Sequence, residues 1–184
     1  MEPCIQICYG LSRDIDRSIT MSETSEIDRL KDIVIKLRAE DGCPWDKVQT
    51  HSSLKPTCVE EAAEVVCGIN ILEKTGDSEN LREELGDLLL QVMFHAVIAE
   101  EEGLFTFDDV AKTVSEKMIR RHPHVFSGVE FESDEARHAA WEEIKKAEKE
   151  GKEWQEPYLR DAMEESIGLI ERAKKRKGFV SETE

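Results

Sequence analysis

Apolar residues recur along this chain at steps of three and four and never settle into sustained alternation, so the pattern predicts helices throughout. Ile27, Leu30, Ile33, Val34 and Leu37 mark a first helix over about 25–38, with Ser22 or Ser25 as its cap. Gly42 and Pro44 stop it and open the loop Asp41-Gly42-Cys43-Pro44-Trp45-Asp46. Gln49, Thr50 and His51 then lead to a second helix over about 54–73, whose Pro56 is tolerated because it falls in the first turn. After the break Thr75-Gly76-Asp77-Ser78, a third helix is expected over about 80–102, ending at Gly103. Thr106 and Asp109 read as a capping pair for a fourth helix, with Phe107, Val110, Val114 and Met118 on its apolar side and Pro123 enforcing its stop. A strongly charged fifth helix is expected over about 133–150, and a short final one over about 159–177 beyond the break at Gly151. The expected fold is all-α: an antiparallel helical bundle over residues 23–150 with a C-terminal helix and polar tail over 151–184. Residues 1–22 show no sustained period and are expected to form a poorly ordered extension.

Two of the apolar rows are interrupted by acid. The second helix carries Leu54, Cys58, Glu61, Val65, Gly68 and Leu72 on one row, and the third carries Leu81, Glu84, Leu88, Gln91, His95 and Ile98. Residues three or four apart share a helix face, so Glu61 joins Glu64 and Glu84 joins Asp87. Two helices joined by a tight turn run antiparallel, and these four carboxylates would meet between them. The run from Leu85 to Ala99 is apolar nearly all round, the pattern of a buried helix. Carboxylates crowded in low dielectric do not all stay ionised without a positive partner. A hard divalent cation such as Mg²⁺ is the simplest one, against the alternative of a solvated acidic face.

Composition narrows the partners. The 184 residues include 41 acidic and 25 basic ones, a formal charge of −16, which argues against a nucleic-acid polymer but leaves small anions open once a cation reverses the local field. With no membrane-spanning run and no signal-peptide pattern, the chain is expected to be soluble and cytoplasmic, with no membrane partner. The five cysteines, Cys4, Cys8, Cys43, Cys58 and Cys67, complete neither a disulfide framework nor a zinc site, in keeping with reduced thiols.

The exception to the acidic character is Lys117-Met118-Ile119-Arg120-Arg121-His122-Pro123-His124. Lys117 and Arg121, one turn apart, suit phosphate oxygens, or else complement the helix dipole and pair with the acidic clusters. Trp45 either anchors the core over the bundle end or faces a ligand. His122 and His124 read as structural, and the spacing of Glu135 and His138, which resembles a di-iron ligand pair, lacks the second copy such a site needs.

Cys43-Pro44-Trp45-Asp46, Gln49-Thr50-His51, Glu60-Glu61-x-x-Glu64, Leu81-Arg82-Glu83-Glu84-Leu85-Gly86-Asp87 and Arg121-His122-Pro123-His124-Val125-Phe126 together resemble the MazG family of nucleoside triphosphate pyrophosphohydrolases, over about residues 25–150. The resemblance implies hydrolysis of a nucleoside triphosphate to monophosphate and pyrophosphate. It implies Glu61, Glu64, Glu84 and Asp87 as Mg²⁺ ligands, with Mn²⁺ as a substitute, and Glu60, Glu61 and Glu83 in orienting or deprotonating the water. Lys117 and Arg121 would hold phosphates, and Trp141 and Trp45 the nucleotide. A homodimer or higher homo-oligomer is also implied, with sites built across subunits. Residues 171–179 look like the lead-in to a second module, which keeps open a non-catalytic nucleotide-sensing or docking role for the single copy.

Overall fold

The computed structural model describes residues 25–179, which form seven α-helices and, among those residues, no strand. These are α1 (Glu26–Arg38), α2 (Lys55–Thr75), α3 (Glu79–Glu101), α4 (Phe107–Arg121), α5 (Pro123–Phe126), α6 (Asp134–Lys149) and α7 (Glu156–Arg176). The expectation for residues 1–22, and the thiols Cys4 and Cys8, lie outside the described part. The caps follow the sequence. Ser25 and Asp28 close a reciprocal capping box on α1, and Thr106 and Asp109 close one on α4. Gly76 ends α2 at φ 78°, a left-handed turn that frees its N–H to reach the Leu72 carbonyl at 2.9 Å.

α2 and α3 form an antiparallel hairpin, the most extensive helix pair in the chain. Its close approach depends on Gly68: a methyl group there would meet the Leu81 Cα at 2.7 Å. The buried core lies toward the far end of α3, where Met93, Phe94, Val97 and Ile98 pack against Val34 of α1 and Leu54, with Phe107 closing one side. The acidic half of the hairpin therefore lies outside the densest packing.

Three expectations change. The run from Leu85 to Ala99 is not buried all round: Met93, Phe94 and Ala96 through Ala99 are, but Leu85 and Val92 are exposed. Pro123 does not merely stop a helix. α4 ends at Arg121, and Pro123, which lacks an N–H to satisfy, opens the single turn α5. The final helix begins at Glu156 and is 21 residues long, because Pro157 serves its first turn. It lies on α2, with Leu169 buried and Lys55 Nζ 3.0 Å from Glu165 Oε2.

Arg38 fastens the end of the bundle. Its side chain is 6 % exposed, and the guanidinium donates through Nε and Nη2 to Glu101 at 2.9 and 2.7 Å and through Nη1 to the carbonyls of Asp46 and Gln49 at 2.9 and 3.1 Å. It thus joins α1, the Trp45 loop and α3. Arg38→Ala should cost about 1–3 kcal/mol, since two part-buried carbonyls and a carboxylate lose a charged donor together, and urea titration would read this as a lower midpoint at unchanged slope.

Candidate metal and phosphate site

The hairpin brings the acidic residues together as its register requires. Glu61, Glu84 and Asp87 each offer an oxygen within 4.8 Å of the others. In an octahedral Mg²⁺ shell, ligand oxygens roughly 2.1 Å from the ion stand about 3 Å apart when adjacent and about 4.2 Å when opposed. A span of 4.8 Å closes onto that shell with small side-chain rotations, so the donor set fits a hard divalent ion.

Electrostatics divides the five neighbouring carboxylates into two groups. Burial first, then the charges of Glu64, Asp87, Glu60 and Glu84, push the Glu61 carboxyl up to about 7. Burial likewise raises Glu84, against a 2.8 Å hydrogen bond from Asn80 Nδ2, and raises Asp87 together with the charges of Glu83 and Glu64. Glu60 behaves oppositely. Burial pushes it up, but hydrogen bonds from Arg176 and Lys177 outweigh that and hold it below the usual range. Glu64 is also paired with Lys177. The three carboxylates that converge on one point are the three whose ionised forms are penalised.

Other expected residues lie elsewhere. Arg121 donates to Glu148 at 2.7 and 3.0 Å, Arg120 reaches the other oxygen of Glu148, and Arg121 lies 5.9 Å from the Trp141 ring. Lys145 stands over the same ring at 4.1 Å. Among the described residues the ion pairs of this basic end run to α6, not to the acidic clusters, and Lys117 has none. Arg121, Trp141, His138, Phe131 and Ile144 line a pocket of about 320 Å³. Trp45 is 48 % exposed, which removes the core-anchor alternative within one chain. His122 Nδ1 donates to the Met118 carbonyl at 2.7 Å, a structural contact, and His138 stacks on Trp141.

Sequence reasoning missed a polar chain beside the acids. His51 and His95 stack in parallel with Nδ1 atoms 2.7 Å apart, one donating and one accepting, and Cys58 Sγ lies 3.4 Å from His95 Nε2. Burial and then the charge of His51 lower the His95 pKa, favouring its neutral form. The signal was available: Cys58 and His95 occupy the same rows as Glu61 and Glu84, and the antiparallel register pairs them.

Residues 49–126 match the MazG nucleotide pyrophosphohydrolase domain. The chain is 45 % identical over 150 residues to the uncharacterized protein YabN of Bacillus subtilis, covering 82 % of this chain and 29 % of that one. It is 50 % identical over 122 residues to the nucleoside triphosphate pyrophosphohydrolase/pyrophosphatase MazG of Thermotoga maritima, covering 66 % and 45 %. It is 46 % identical over 126 residues to the nucleoside triphosphate pyrophosphohydrolase of Escherichia coli K12, covering 68 % and 46 %. The chain thus spans less than half the length of each of these relatives.

Proposed function

This chain belongs to the MazG family through residues 49–126, and from that premise we propose that it hydrolyses nucleoside triphosphates at the α–β phosphoanhydride, releasing monophosphate and pyrophosphate with Mg²⁺ as cofactor. The observation that carries the reading is the convergence of Glu61, Glu84 and Asp87 within 4.8 Å, with Glu61 held near 7 by burial and like charge. When bound there, the divalent ion would neutralise the triphosphate and lower the pKa of a water. Glu61, Glu84 and Asp87 would hold it, with Glu64 as a fourth ligand. Glu60 and Glu83 flank the trio, and we assign them to orienting the water and accepting its proton. Water oxygen bonds to phosphorus, the bridging P–O bond breaks, and pyrophosphate carries away the electron pair.

Phosphate and base recognition are assigned to Lys117, Arg121, Trp141 and Trp45. Because the basic end pairs within α4 and α6, we assign it to the carboxylates of a second copy, in a homodimer. Exposed apolar residues on the hairpin (Val66, Ile69, Leu85, Val92) and on α4 (Val114, Ile119) support such an interface. No helix of the described residues is long and apolar enough to cross a membrane. The free thiols Cys43, Cys58 and Cys67 accord with a reducing, cytoplasmic setting.

The test is product identity. With Mg²⁺ and a panel of ribo-, deoxy- and oxidised triphosphates, monophosphate and pyrophosphate should appear in equal amounts, and EDTA should stop the reaction. Diphosphate with inorganic phosphate would refute the bond assignment, and nucleotide binding without turnover would favour a sensing module.

A further inference from the structure

The basic run at the end of α7 is exposed, yet at Arg176 and Lys177 it is folded back onto the acidic face of α2. Three contacts, Lys55 with Glu165, Glu60 with Arg176 and Glu64 with Lys177, lay α7 parallel to α2 and bring its C-terminal turn to the acidic cluster. Lys177 Nζ bridges two carboxylates, lying 3.1 Å from Glu60 Oε1 and donating also to Glu64, while Arg176 donates to Glu60 Oε2. Two positive charges thereby compensate two of the five clustered acids.

Glu64 is consequently committed twice. It neighbours Glu84 and Asp87, where a divalent ion would recruit it, yet its oxygen is held by an ammonium. The same oxygen does not serve a metal ion and Lys177 at once at full strength, because each requires its negative charge. We infer that Arg176 and Lys177 form an intramolecular latch that competes with the divalent ion for Glu64, so that metal binding releases the end of α7. This inference rests on the metal-site reading given above.

The latch is built to open. Arg176 and Lys177 are 55 % and 37 % exposed at the side chain, so their pairs are solvent-screened and of the weak class. Moving them exposes no core, because α7 is held upstream by buried Leu169. The released turn carries Lys174, Lys175, Arg176 and Lys177, each a trypsin site. A latch closed in about nine molecules of ten would weaken apparent metal affinity about tenfold.

Two measurements on the full chain without nucleotide test this. Mn²⁺ affinity, read by calorimetry or by loss of free-Mn²⁺ resonance, should tighten about tenfold in the Arg176→Met/Lys177→Met protein relative to wild type, at unchanged helicity. In wild type, Mn²⁺ should accelerate tryptic cleavage within 174–177 while leaving cleavage elsewhere unaltered, a readout that needs no variant. Equal Mn²⁺ affinity in the two proteins would overturn the latch and leave the metal site standing. Weaker binding in the variant would also overturn it, by showing that the cations assist the ion. Failure of both proteins to bind Mn²⁺ would remove the metal site and the latch together.

Discussion

Glu61→Gln is expected to reduce turnover at least about 10³-fold while raising the thermal stability of the EDTA-treated protein above pH 7. The loss follows from removing one of the three converging carboxylates proposed to hold the ion, since several kcal/mol of charge stabilisation in the transition state corresponds to about three powers of ten. The gain follows from the same carboxyl. Its folded value, about 7, lies above its ordinary value of 4.5, so the folded state binds more protons than the unfolded state between those limits. The contribution of Glu61 to stability is therefore fully present below 4.5 and is lost as pH rises through 7. Glutamine, which carries no charge to repel Glu64, Asp87 and Glu84, escapes that loss.

His95 acts on the acid side with the opposite slope. Its folded value is lowered from 6.5, first by burial and then by His51, so its contribution is present above 6.5 and is lost as pH falls below it. The melting-temperature gap between Glu61→Gln and wild type should therefore open as pH rises from about 4.5 through 7 and be fully developed by pH 8, while the His95 contribution, common to both proteins, cancels. Because Glu61 is only partly buried, solvent discounts the shift, and a difference of roughly 2–5 °C at pH 8 is expected for a domain of this size. Saturating Mg²⁺ should abolish the difference or reverse it, because only the wild type has the full ligand set. Equal pH profiles in the two proteins would show that Glu61 is an ordinary solvated carboxylate, and the catalytic assignment would lose its physical basis.

The helical fold was legible because its signals are local. Ser25, Thr106 and Asp109 cap where the sequence places them, Gly76 turns the chain between the acidic helices, and the three-and-four rows fix which faces meet. Glu61, Glu84 and Asp87 could be paired from sequence because the turn between α2 and α3 is short and the register is limited. What was not legible depends on residues far apart in the chain. Nothing local distinguishes Arg38 from any other helix-terminal cation, although it is the most buried charge of the ion pairs among the described residues. Nor does periodicity tell an apolar residue that packs in the core from one that faces out, so Leu85 and Val92 were read with Met93 and Phe94. The contacts of Glu60 with Arg176 and Glu64 with Lys177 span more than a hundred residues and depend on where α7 lies, which no local pattern encodes.

Mixing two dead proteins should restore activity. Glu61→Gln removes a ligand from the acidic cluster and Arg121→Ala removes the cation at the end of α4, and each alone should be inactive or nearly so. If the acids of one copy work with the basic end of the other, a heterodimer of the two variants contains one site with both defects and one with neither. Random exchange at equal amounts makes half the dimers mixed, so about a quarter of wild-type activity per chain should return. If all groups act within one chain, every site keeps one defect and the mixture stays inactive. The prediction discriminates because Arg121 is held by Glu148 and packed by Trp141 within its own chain, which orients its guanidinium without bringing it to α2 or α3. Glu148→Gln should serve as the milder companion. Loss of that partner would leave the charge of Arg121 in place but free its fork, raising KM more than it lowers kcat if Arg121 has the proposed role of positioning phosphate rather than reacting.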